Sequence, residues 1–259
     1  MKLDMATVEE CYQECIAEGA KAPVFIYTNP HNPSGTIFCA KQTEALVSWC
    51  LAKQVHLISD EIYAMSIFTT AKVEFTSVFD IAHGAKRQGA EDLIHIMWGG
   101  SKDLGLNGFR IGVLLTRNQE LKKCLRGLAY GFSTPAEMQE MTAAVIEDEH
   151  FFTRFLEANA QRLTDTYSKV VAKLRDHGVK DIAVADGAMF VYFKMPGEEL
   201  SLEEERFLWQ RLVRENRVMV LPGLVFEDAR RGWFRICVSA NPLEDTLEAV
   251  DRIFKHPHH

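Results

Sequence analysis

The sequence lacks long apolar runs and a surplus of positive charge, and each absence excludes a class of protein. One of its longest apolar runs, residues 218–226, contains Pro222 and Gly223 and is far shorter than the roughly 20 residues of a membrane span. The chain has 29 Lys and Arg residues against 36 Asp and Glu, a net charge of −7, so a broad surface for nucleic-acid phosphates is not expected. We therefore predict a protein that neither spans a membrane nor binds nucleic acid.

Cysteine motifs are also lacking. The six cysteines include no CxxC pair and form no Cys/His grid, and their density is too low for a small fold held by disulfides. Cys11 and Cys15 lie four residues apart, but no nearby His or further Cys completes a metal site. We expect reduced, mostly buried thiols and no metal ion.

Several other signatures are missing. The N-terminal residues MKLDMATVEE contain neither an apolar core nor a small-residue cleavage site, so we expect no signal or transit peptide and a cytoplasmic location. Lys102 follows Ser rather than Gly, which excludes a P-loop, and Gly105, Gly108 and Gly112 do not have the GxGxxG spacing. No GxSxG or HExxH motif is present. These absences exclude the commonest nucleotide, hydrolase and metalloprotease sites.

What is present is enough apolar material for a large core, since 47% of the 259 residues are apolar and 25% are charged. In the first half, β-branched and aromatic runs of strand length alternate with segments of helical periodicity. The predicted strands are 23–28, 55–59, 93–98 and 111–115, and the predicted helices are 41–53 and 7–18, the latter opened by a Thr7/Glu10 capping box. This alternation predicts an α/β fold with a mainly parallel sheet flanked by helices.

The pattern changes after Arg117. Helical periodicity extends through residue 128, over 135–149 and over 151–177, and the last segment is long enough to bridge two lobes. Beyond it we predict strands at 179–185, 188–194, 218–221 and 233–238, a helix over 201–216 with a Ser201/Glu204 capping box, and a last helix from 241. The second half therefore predicts a smaller α+β domain.

Four clusters of polar or charged residues lie at the ends of predicted strands, where open α/β sheets place their ligand sites. They are residues 29–35, 59–63, 99–110 and 232–235. Each alone has an ordinary explanation, because Asn-Pro repeats form turns, an Asp after a strand often caps a helix, and a Lys in a Gly-rich loop is usually solvated. Only their combination and order indicate a shared function.

Taken in order, Asn-Pro-x-Asn-Pro-x-Gly, Asp-Glu-x-Tyr, Ser-Lys-Asp and a following Arg resemble the blocks of the fold-type I pyridoxal-phosphate enzymes of the class I/II aminotransferase family. The resemblance is strongest to the 1-aminocyclopropane-1-carboxylate synthase group and its synthase-like relatives. It runs from about residue 20 to the C-terminus, through TNPHNPSGT, LISDEIYAMSIF, HIMWGGSKDLGLNGFRIG and RGWFRICVSAN. It implies a cofactor-binding large domain over 1–148, then an interlobe helix and a C-terminal small domain over 149–259, with pyridoxal 5′-phosphate as cofactor.

The resemblance also implies catalytic roles. Lys102 would form the Schiff base with the cofactor and, once released, move a proton at the substrate's Cα. Asp60 would keep the pyridine nitrogen protonated, which maintains the ring as an electron sink. Asn32 and Tyr63 would hydrogen-bond the phenolic oxygen of the ring and tune the Schiff base.

Further residues are implied to hold charged groups. Ser101 and Arg110 would bind the phosphate, and Arg235, together with Asn32, would bind the substrate α-carboxylate. The alternative for Arg235 is an interlobe salt bridge. Lys53, His31, His56 and His95 have no role in the family pattern and are expected to lie on the surface or fill the core.

Two departures accompany the resemblance. Gly99 stands three residues before the lysine, where the family often has a phosphate-binding Ser or Thr. Family members also carry a longer N-terminal part with a Gly/Ala phosphate loop, an aromatic ring stacked on the cofactor and a Tyr that reaches the partner subunit's site, so we expect this chain to be truncated relative to the family.

The function implied is an aminotransferase, or a lyase like 1-aminocyclopropane-1-carboxylate synthase, that acts on a small α-amino acid. Both reactions begin by loss of the Cα proton, so the sequence does not separate them. The resemblance implies a homodimer. The alternative is a truncated or non-catalytic relative that serves as a cofactor-binding or protein-interaction module.

Overall fold

Two β-sheets organise the chain in a computed structural model that describes residues 3–255. The first sheet has the order β1 (Val24–Thr28), β2 (His56–Asp60), β3 (Ile94–Gly99) and β4 (Gly112–Thr116). Strands β1, β2 and β3 are parallel, and β4 pairs antiparallel with β3. The prediction of an α/β fold with a mainly parallel sheet is confirmed.

Helices α1 (Met5–Ala17) and α2 (Ala40–Lys53) pack on one face of this sheet, in a core that contains Val8, Tyr27 and Leu46. A short helix α3 (Ala90–Leu93) precedes β3. The predicted capping box at Thr7 is wrong: the N-cap is Asp4, whose carboxylate accepts hydrogen bonds from the Ala6 N–H and the Thr7 hydroxyl. Asp and Thr are both favourable N-cap residues. Here the carboxylate of Asp4 accepts the hydrogen bond from the Ala6 N–H, so the helix is capped three residues earlier than predicted.

The opposite face of the first sheet is largely exposed. Because side chains alternate along a strand, Ile26 points away from the core that buries its neighbour Tyr27. Ile26 is 66% exposed, and Met97 of β3 is 37% exposed. Asp60 shares this face, since it is in register with Met97. The carboxyl edge of the parallel strands is thus open toward this side.

Three helices follow the first sheet: α5 (Gln119–Phe132), α6 (Ala136–Glu147) and the 28-residue α7 (Glu149–Asp176). They come after α4 (Gly100–Asp103), a single turn that directly extends β3. Helix α7 carries Val170 and Leu174 into the core of the second sheet, while Leu163, one of its earlier residues, packs with Phe68 of the first half. The long helix therefore contacts both halves of the chain.

The second sheet is antiparallel, in the order β5 (Phe190–Lys194), β7 (Trp233–Cys237) and β6 (Leu221–Pro222). Helices α8 (Leu202–Arg214) and α9 (Leu243–Ile253) pack on it, and the Ser201/Glu204 capping box predicted for α8 is present. The predicted α+β character of this half is confirmed. The division into domains at residues 148 and 149 stays a prediction.

Residues 179–185 do not form the predicted strand. Their pairing with β5 is one isolated bridge between Ile182 and Phe193. At the end of the segment the Ala185 N–H donates to the Tyr167 hydroxyl at 3.3 Å, and the N–H groups of Asp186 and Gly187, which follow it, donate to the carbonyl of Gly35 in the first half of the chain. Strand β6 is also shorter than predicted and includes Pro222, which cannot donate to a ladder and suits the edge position.

The expectation of mostly buried thiols was wrong. All six cysteines are free, but only Cys50 is buried, and Cys11, Cys15 and Cys124 are exposed. Cys11 and Cys15 lie on α1, whose one buried residue is Val8, so both project from its solvent side. Within residues 3–255, no helix combines the length and the apolar character that a membrane crossing requires.

Candidate active site

Asp60 is the last residue of β2, at the carboxyl edge of the parallel strands. Its side chain is half-buried and accepts a hydrogen bond from the Ile62 N–H at 3.2 Å. Burial raises the pKa of this carboxyl, and the Ile62 hydrogen bond only partly offsets that effect. The ionised form of Asp60 would therefore be stabilised by a cationic group placed beside it.

The loop that follows β1 is fixed against the end of β2. The Asn29 N–H donates to the carbonyl of Asp60 at 3.1 Å, and the buried Asn29 side chain accepts from the Phe38 N–H at 3.0 Å, which closes the loop. The Asn29–Pro30 and Asn32–Pro33 peptide bonds are cis. Gly35 ends the loop at φ +69°, where a Cβ would lie 2.6 Å from the Cβ of Ala185. This packing presents Asn32 to the second lobe.

Arg235, in β7, meets that loop. Its Nη1 donates to Asn32 Oδ1 at 2.6 Å. The guanidinium carbon lies 4.2 Å from the ring centroid of Phe190 and 5.0 Å from that of Phe226. Burial lowers the pKa of Arg235, and its Nε is buried without a hydrogen-bond partner in the part of the chain that the structure describes. The guanidinium thus retains donor capacity for an anion.

The alternative interpretation of Arg235, an interlobe salt bridge, is not what the structure shows. Its hydrogen-bond partner is the neutral amide of Asn32, and no ion pair of Arg235 with a carboxylate occurs among residues 3–255. A salt bridge would pair the guanidinium with a carboxylate of the protein and leave it unavailable to an anionic ligand. Here the charge is held between two aromatic rings and an amide oxygen.

Tyr63, in the turn after β2, is buried against the second sheet. Its ring is 4% exposed and packs edge-on against Phe190, with centroids 5.4 Å apart. Burial raises the pKa of Tyr63 to about 12, while the charge of Arg235 acts in the opposite direction. The phenol is neutral at physiological pH and can donate a hydrogen bond.

Ser101 and Lys102 lie on the single turn α4, directly after β3. Lys102 is exposed and Ser101 is half-buried. The next residue, Asp103, is 1% exposed and accepts hydrogen bonds from three groups: the Met65 N–H at 3.0 Å, the Ser66 hydroxyl at 2.7 Å and the Trp98 indole N–H at 2.9 Å. Sequence reasoning did not select Asp103, because a carboxylate beside a lysine in a turn carries no signal that it is buried.

The structure explains why residue 99 is a glycine rather than a Ser or Thr. A Cβ at this position would lie 2.7 Å from the carbonyl oxygen of Ile111 and 3.5 Å from the Cα of Gly112, its partner across the β3–β4 ladder. A Ser or Thr therefore does not fit at Gly99 without displacing β4. The departure from the family pattern follows from this close strand approach.

Arg110 is exposed, with a left-handed φ of +57°. Its Nη1 donates to the carbonyl of Asn107 at 3.0 Å, and its own carbonyl accepts from the Thr134 hydroxyl at 3.2 Å. The structure thus brings Arg235 into contact with Asn32 and packs Tyr63 on the Phe190 ring that Arg235 also contacts, but it turns Arg110 back on its own loop.

The histidines without a predicted role are structural. His95 is 2% exposed, and its ring nitrogens lie 3.0 Å from His56 and 2.8 Å from Thr116. Burial lowers the pKa of His95 to about 4 and that of His31 to about 4. Both are neutral at physiological pH. Lys53 pairs with Glu9 at 2.6 Å on the surface.

The model of the family described as aminotransferase class I and II matches residues 1–253. The chain belongs to this family. Pyridoxal 5′-phosphate is the cofactor of the family, as the sequence motifs predicted. The family resemblance stated from the motifs is thereby confirmed, and the fold described above is that of its fold-type I members.

Among curated relatives, the chain is 31% identical over 249 residues to "1-aminocyclopropane-1-carboxylate synthase 7" of Arabidopsis thaliana. That alignment covers 95% of this chain and 55% of the relative. The chain spans about half the length of the curated relatives it matches.

Solved structures show the same fold. An aspartate aminotransferase from Thermotoga maritima superposes with a TM-score of 0.74 at 25% identity, over 93% of this chain and 58% of that chain. A pyridoxal-phosphate-bound aminotransferase described from Clostridium difficile 630 has a TM-score of 0.77 at 20% identity, over 93% and 60% of the two chains. The likeness extends across both sheets of the present chain.

The family's cofactor matches the donor set that the structure presents. A carboxyl with a burial-raised pKa, Asp60, lies at the strand edge, and within residues 3–255 no salt bridge pairs it with a cation. In the same described range, the buried Nε of Arg235 has no hydrogen-bond partner. An exposed lysine amine, Lys102, lies on the turn that follows the neighbouring strand. These groups supply the partners required by a pyridine nitrogen, an amino-acid carboxylate and an aldehyde.

Proposed function

We propose that the protein is a pyridoxal-phosphate-dependent enzyme that acts on a small α-amino acid. The observation that carries this proposal is Arg235, a guanidinium held between two aromatic rings and hydrogen-bonded to Asn32, whose Nε has no partner among the residues that the structure describes. A planar fork of N–H donors binds a carboxylate through two parallel hydrogen bonds. Adjacent aromatic rings exclude water and strengthen that pairing.

The substrate α-carboxylate would bind between Arg235 and Asn32. Asn32 can also donate through its amide nitrogen, since its Oδ1 is the atom that accepts from Arg235. The neutral Tyr63 beside Arg235 would donate to an oxygen of the cofactor ring. The three side chains orient the substrate and the ring relative to each other.

The cofactor, when bound, supplies a conjugated ring that accepts electrons from the substrate's Cα. Asp60 would pair with the protonated ring nitrogen, a cationic neighbour that lowers its burial-raised pKa. Ser101 would bind the phosphate, and Arg110 would do so after its guanidinium leaves the Asn107 carbonyl. Lys102 would hold the aldehyde end of the cofactor, and its free amine would move the proton at the substrate's Cα.

Two reactions fit these residues. One is transfer of the amino group to a keto acid, as in aminotransferases. The other is α,γ-elimination from S-adenosylmethionine with ring closure, which the names of the synthase relatives favour. Purified protein loaded with the cofactor should be incubated in separate arms with S-adenosylmethionine and with amino acid plus keto acid. The absence of both the cyclopropane product and the new amino acid at full cofactor loading would contradict both versions.

A second candidate is a non-catalytic relative that binds the cofactor or a protein partner. It is favoured by the exposed sheet face that carries Ile26 and Met97. An absorbance scan and the assay above separate the candidates. The proposed enzyme takes up the cofactor with a near-visible band that disappears in Lys102→Ala, and it forms one of the two products. A protein that stays colourless with added cofactor supports a protein-interaction module, and one that gains the band but forms neither product supports a non-catalytic cofactor-binding relative.

We also propose the remaining expectations for the whole protein: a cofactor domain over 1–148, an interlobe helix with a small domain over 149–259, a homodimer and a cytoplasmic location. The homodimer and the domain division are supported by the membership in the family. Sedimentation of the cofactor-loaded protein measures its oligomeric state, and limited proteolysis near residues 148 and 149 tests the division.

A further inference from the structure

Asp103 is a buried carboxylate that the proposed chemistry does not use. Its side chain receives hydrogen bonds from three different parts of the chain, and Lys102 is its immediate neighbour. Burial raises the pKa of Asp103, and the three donors oppose that effect. A buried carboxyl is costly unless such donors satisfy it, so this position demands an explanation.

Two of the donors belong to the segment that begins at Tyr63. The Met65 N–H donates to one oxygen of Asp103 and the Ser66 hydroxyl to the other. The Ser66 N–H in turn donates to the carbonyl of Tyr63 at 3.0 Å. The turn that carries Lys102 and the turn that follows Tyr63 are therefore joined through one carboxylate.

The third donor and a further contact extend this connection. Trp98, in β3, donates its indole N–H to Asp103, which holds α4 against the strand that precedes it. The carbonyl of Ser66 accepts from the Ala188 N–H at 2.7 Å, directly before β5. Asp103 thus lies where the Lys102 turn, the Tyr63 turn and the entry to the second sheet meet.

We propose that Asp103 is a positioning residue that sets where Lys102 lies relative to Tyr63. The proposal rests on the proposed function, in which Lys102 bonds to the cofactor and Tyr63 to its ring. The Lys102 side chain is exposed, while Gly100 and Leu104 at the two ends of its turn are buried. Asp103 adds the hydrogen bonds that join this turn to the Tyr63 segment, so it would act on the reaction only through its neighbour.

Glu205 provides a matched control. It is 0% exposed, lies on α8 in the second lobe, and accepts from the Leu224 N–H at 3.0 Å and the Gly232 N–H at 2.7 Å. It resembles Asp103 in burial and in receiving backbone hydrogen bonds, but none of its hydrogen-bond partners within residues 3–255 is a proposed site residue. A general loss of stability should be common to both positions, whereas a positioning effect belongs to Asp103 alone.

The experiment compares the full chain with its Asp103→Ala, Asp103→Asn and Glu205→Ala variants. Each protein is mixed with limiting pyridoxal phosphate and reduced with borohydride, and the adduct on Lys102 is measured by peptide mass. Thermal unfolding and amide hydrogen exchange at Met65 are measured without cofactor. The pH midpoint of the cofactor band gives a spectroscopic readout that does not depend on turnover.

We expect Asp103→Ala to lower the Lys102 adduct by roughly tenfold, because misplacement of a reacting group by about 1 Å can cost about 100-fold. It should also shift the pH midpoint and remove exchange protection at Met65. Asp103→Asn should restore most of the adduct, since its amide can accept from two donors and donate to the Ser66 hydroxyl. Glu205→Ala should lower the unfolding temperature but leave the adduct and the midpoint unchanged.

Two results would contradict the proposal, and they differ in what they imply. If Asp103→Ala and Glu205→Ala lower the unfolding temperature alike and neither changes the adduct or the midpoint, Asp103 is structural only, and the proposed function stands. If the unaltered chain forms no adduct on Lys102, the proposed function fails, and the positioning role fails with it.

Discussion

Arg235 and Asn32 are 203 residues apart in the sequence, and Arg235 Nη1 donates to Asn32 Oδ1 at 2.6 Å. The contact joins β7 of the second sheet to the loop after β1 of the first. It leaves the Nε of Arg235 buried without a partner in the described part of the chain. A two-pronged anion is the ligand that would complete this arrangement.

Replacing Arg235 should weaken substrate binding. Arg235→Lys keeps the charge but loses the planar fork, so we expect KM for the amino acid to rise about 10- to 100-fold, the equivalent of one or two charged hydrogen bonds. Steady-state kinetics with cofactor-loaded protein measure this. Arg231→Lys, whose side chain donates to the carbonyl of Asp228, is the control and should leave KM unchanged. An unchanged KM in Arg235→Lys would exclude the carboxylate role.

Asp60→Asn should raise the stability of the cofactor-free chain but lower its affinity for the cofactor. Burial raises the folded-state pKa of Asp60 above its ordinary value of 3.8, so the unfolded chain ionises more readily as the pH rises. The unaltered chain without cofactor should therefore lose stability relative to Asp60→Asn above pH 3.8, and the difference should disappear in more acidic buffer. Denaturant unfolding across pH measures this.

Cofactor binding, in contrast, should favour the unaltered chain over Asp60→Asn. A pyridinium beside Asp60 stabilises the carboxylate, so the unaltered chain should bind cofactor more tightly than Asp60→Asn at pH 7. Titration of the absorbance band measures the difference. Equal affinity of the two proteins would contradict the proposed pairing of Asp60 with the ring nitrogen.

Restoring the family's residue at Gly99 should destabilise the chain. Gly99→Ser places a Cβ 2.7 Å from the Ile111 carbonyl, and we expect a loss of about 1–3 kcal/mol in the free energy of unfolding. Gly112→Ser is the control, because no atom lies within 4 Å of a Cβ at that position on the paired strand. Urea unfolding of both variants measures the difference, and equal midpoints would show that β4 moves aside freely.

Gly35→Ala should displace the loop of Asn32. Its backbone has φ +69°, and the added Cβ would lie 2.6 Å from Ala185 and 2.7 Å from the carbonyl of Gly187. Gly178→Ala shares the left-handed backbone, at φ +83°, but meets no atom within 4 Å. We expect about 1 kcal/mol of backbone strain in both variants and a further loss, about 1–3 kcal/mol, in Gly35→Ala alone. Only Gly35→Ala should raise KM, since the clash separates Asn32 from Arg235.

Local patterns predicted the element types well and their ends less well. The parallel strands that contain Ile26 and Leu57 and the Ser201/Glu204 cap follow from interactions between residues close in sequence. The predicted strand at 179–185 was wrong: its last N–H group, that of Ala185, donates to the Tyr167 side chain of the long helix, a long-range contact that local periodicity does not reveal. The cap at Thr7 failed because Asp4 offers the same chemistry three residues earlier.

The sequence by itself determined the α/β class, because turn chemistry and side-chain periodicity are short-range properties that a sequence displays directly. The family and its cofactor followed from the resemblance of the ordered motifs to those of a known family. Tertiary structure alone decided that Arg235 meets Asn32 rather than a carboxylate, that Asp103 is buried beside an exposed Lys102, and that Gly99 has no room for a side chain. These depend on contacts between distant segments, and burial is set by the whole fold rather than by the residue or its neighbours in the chain.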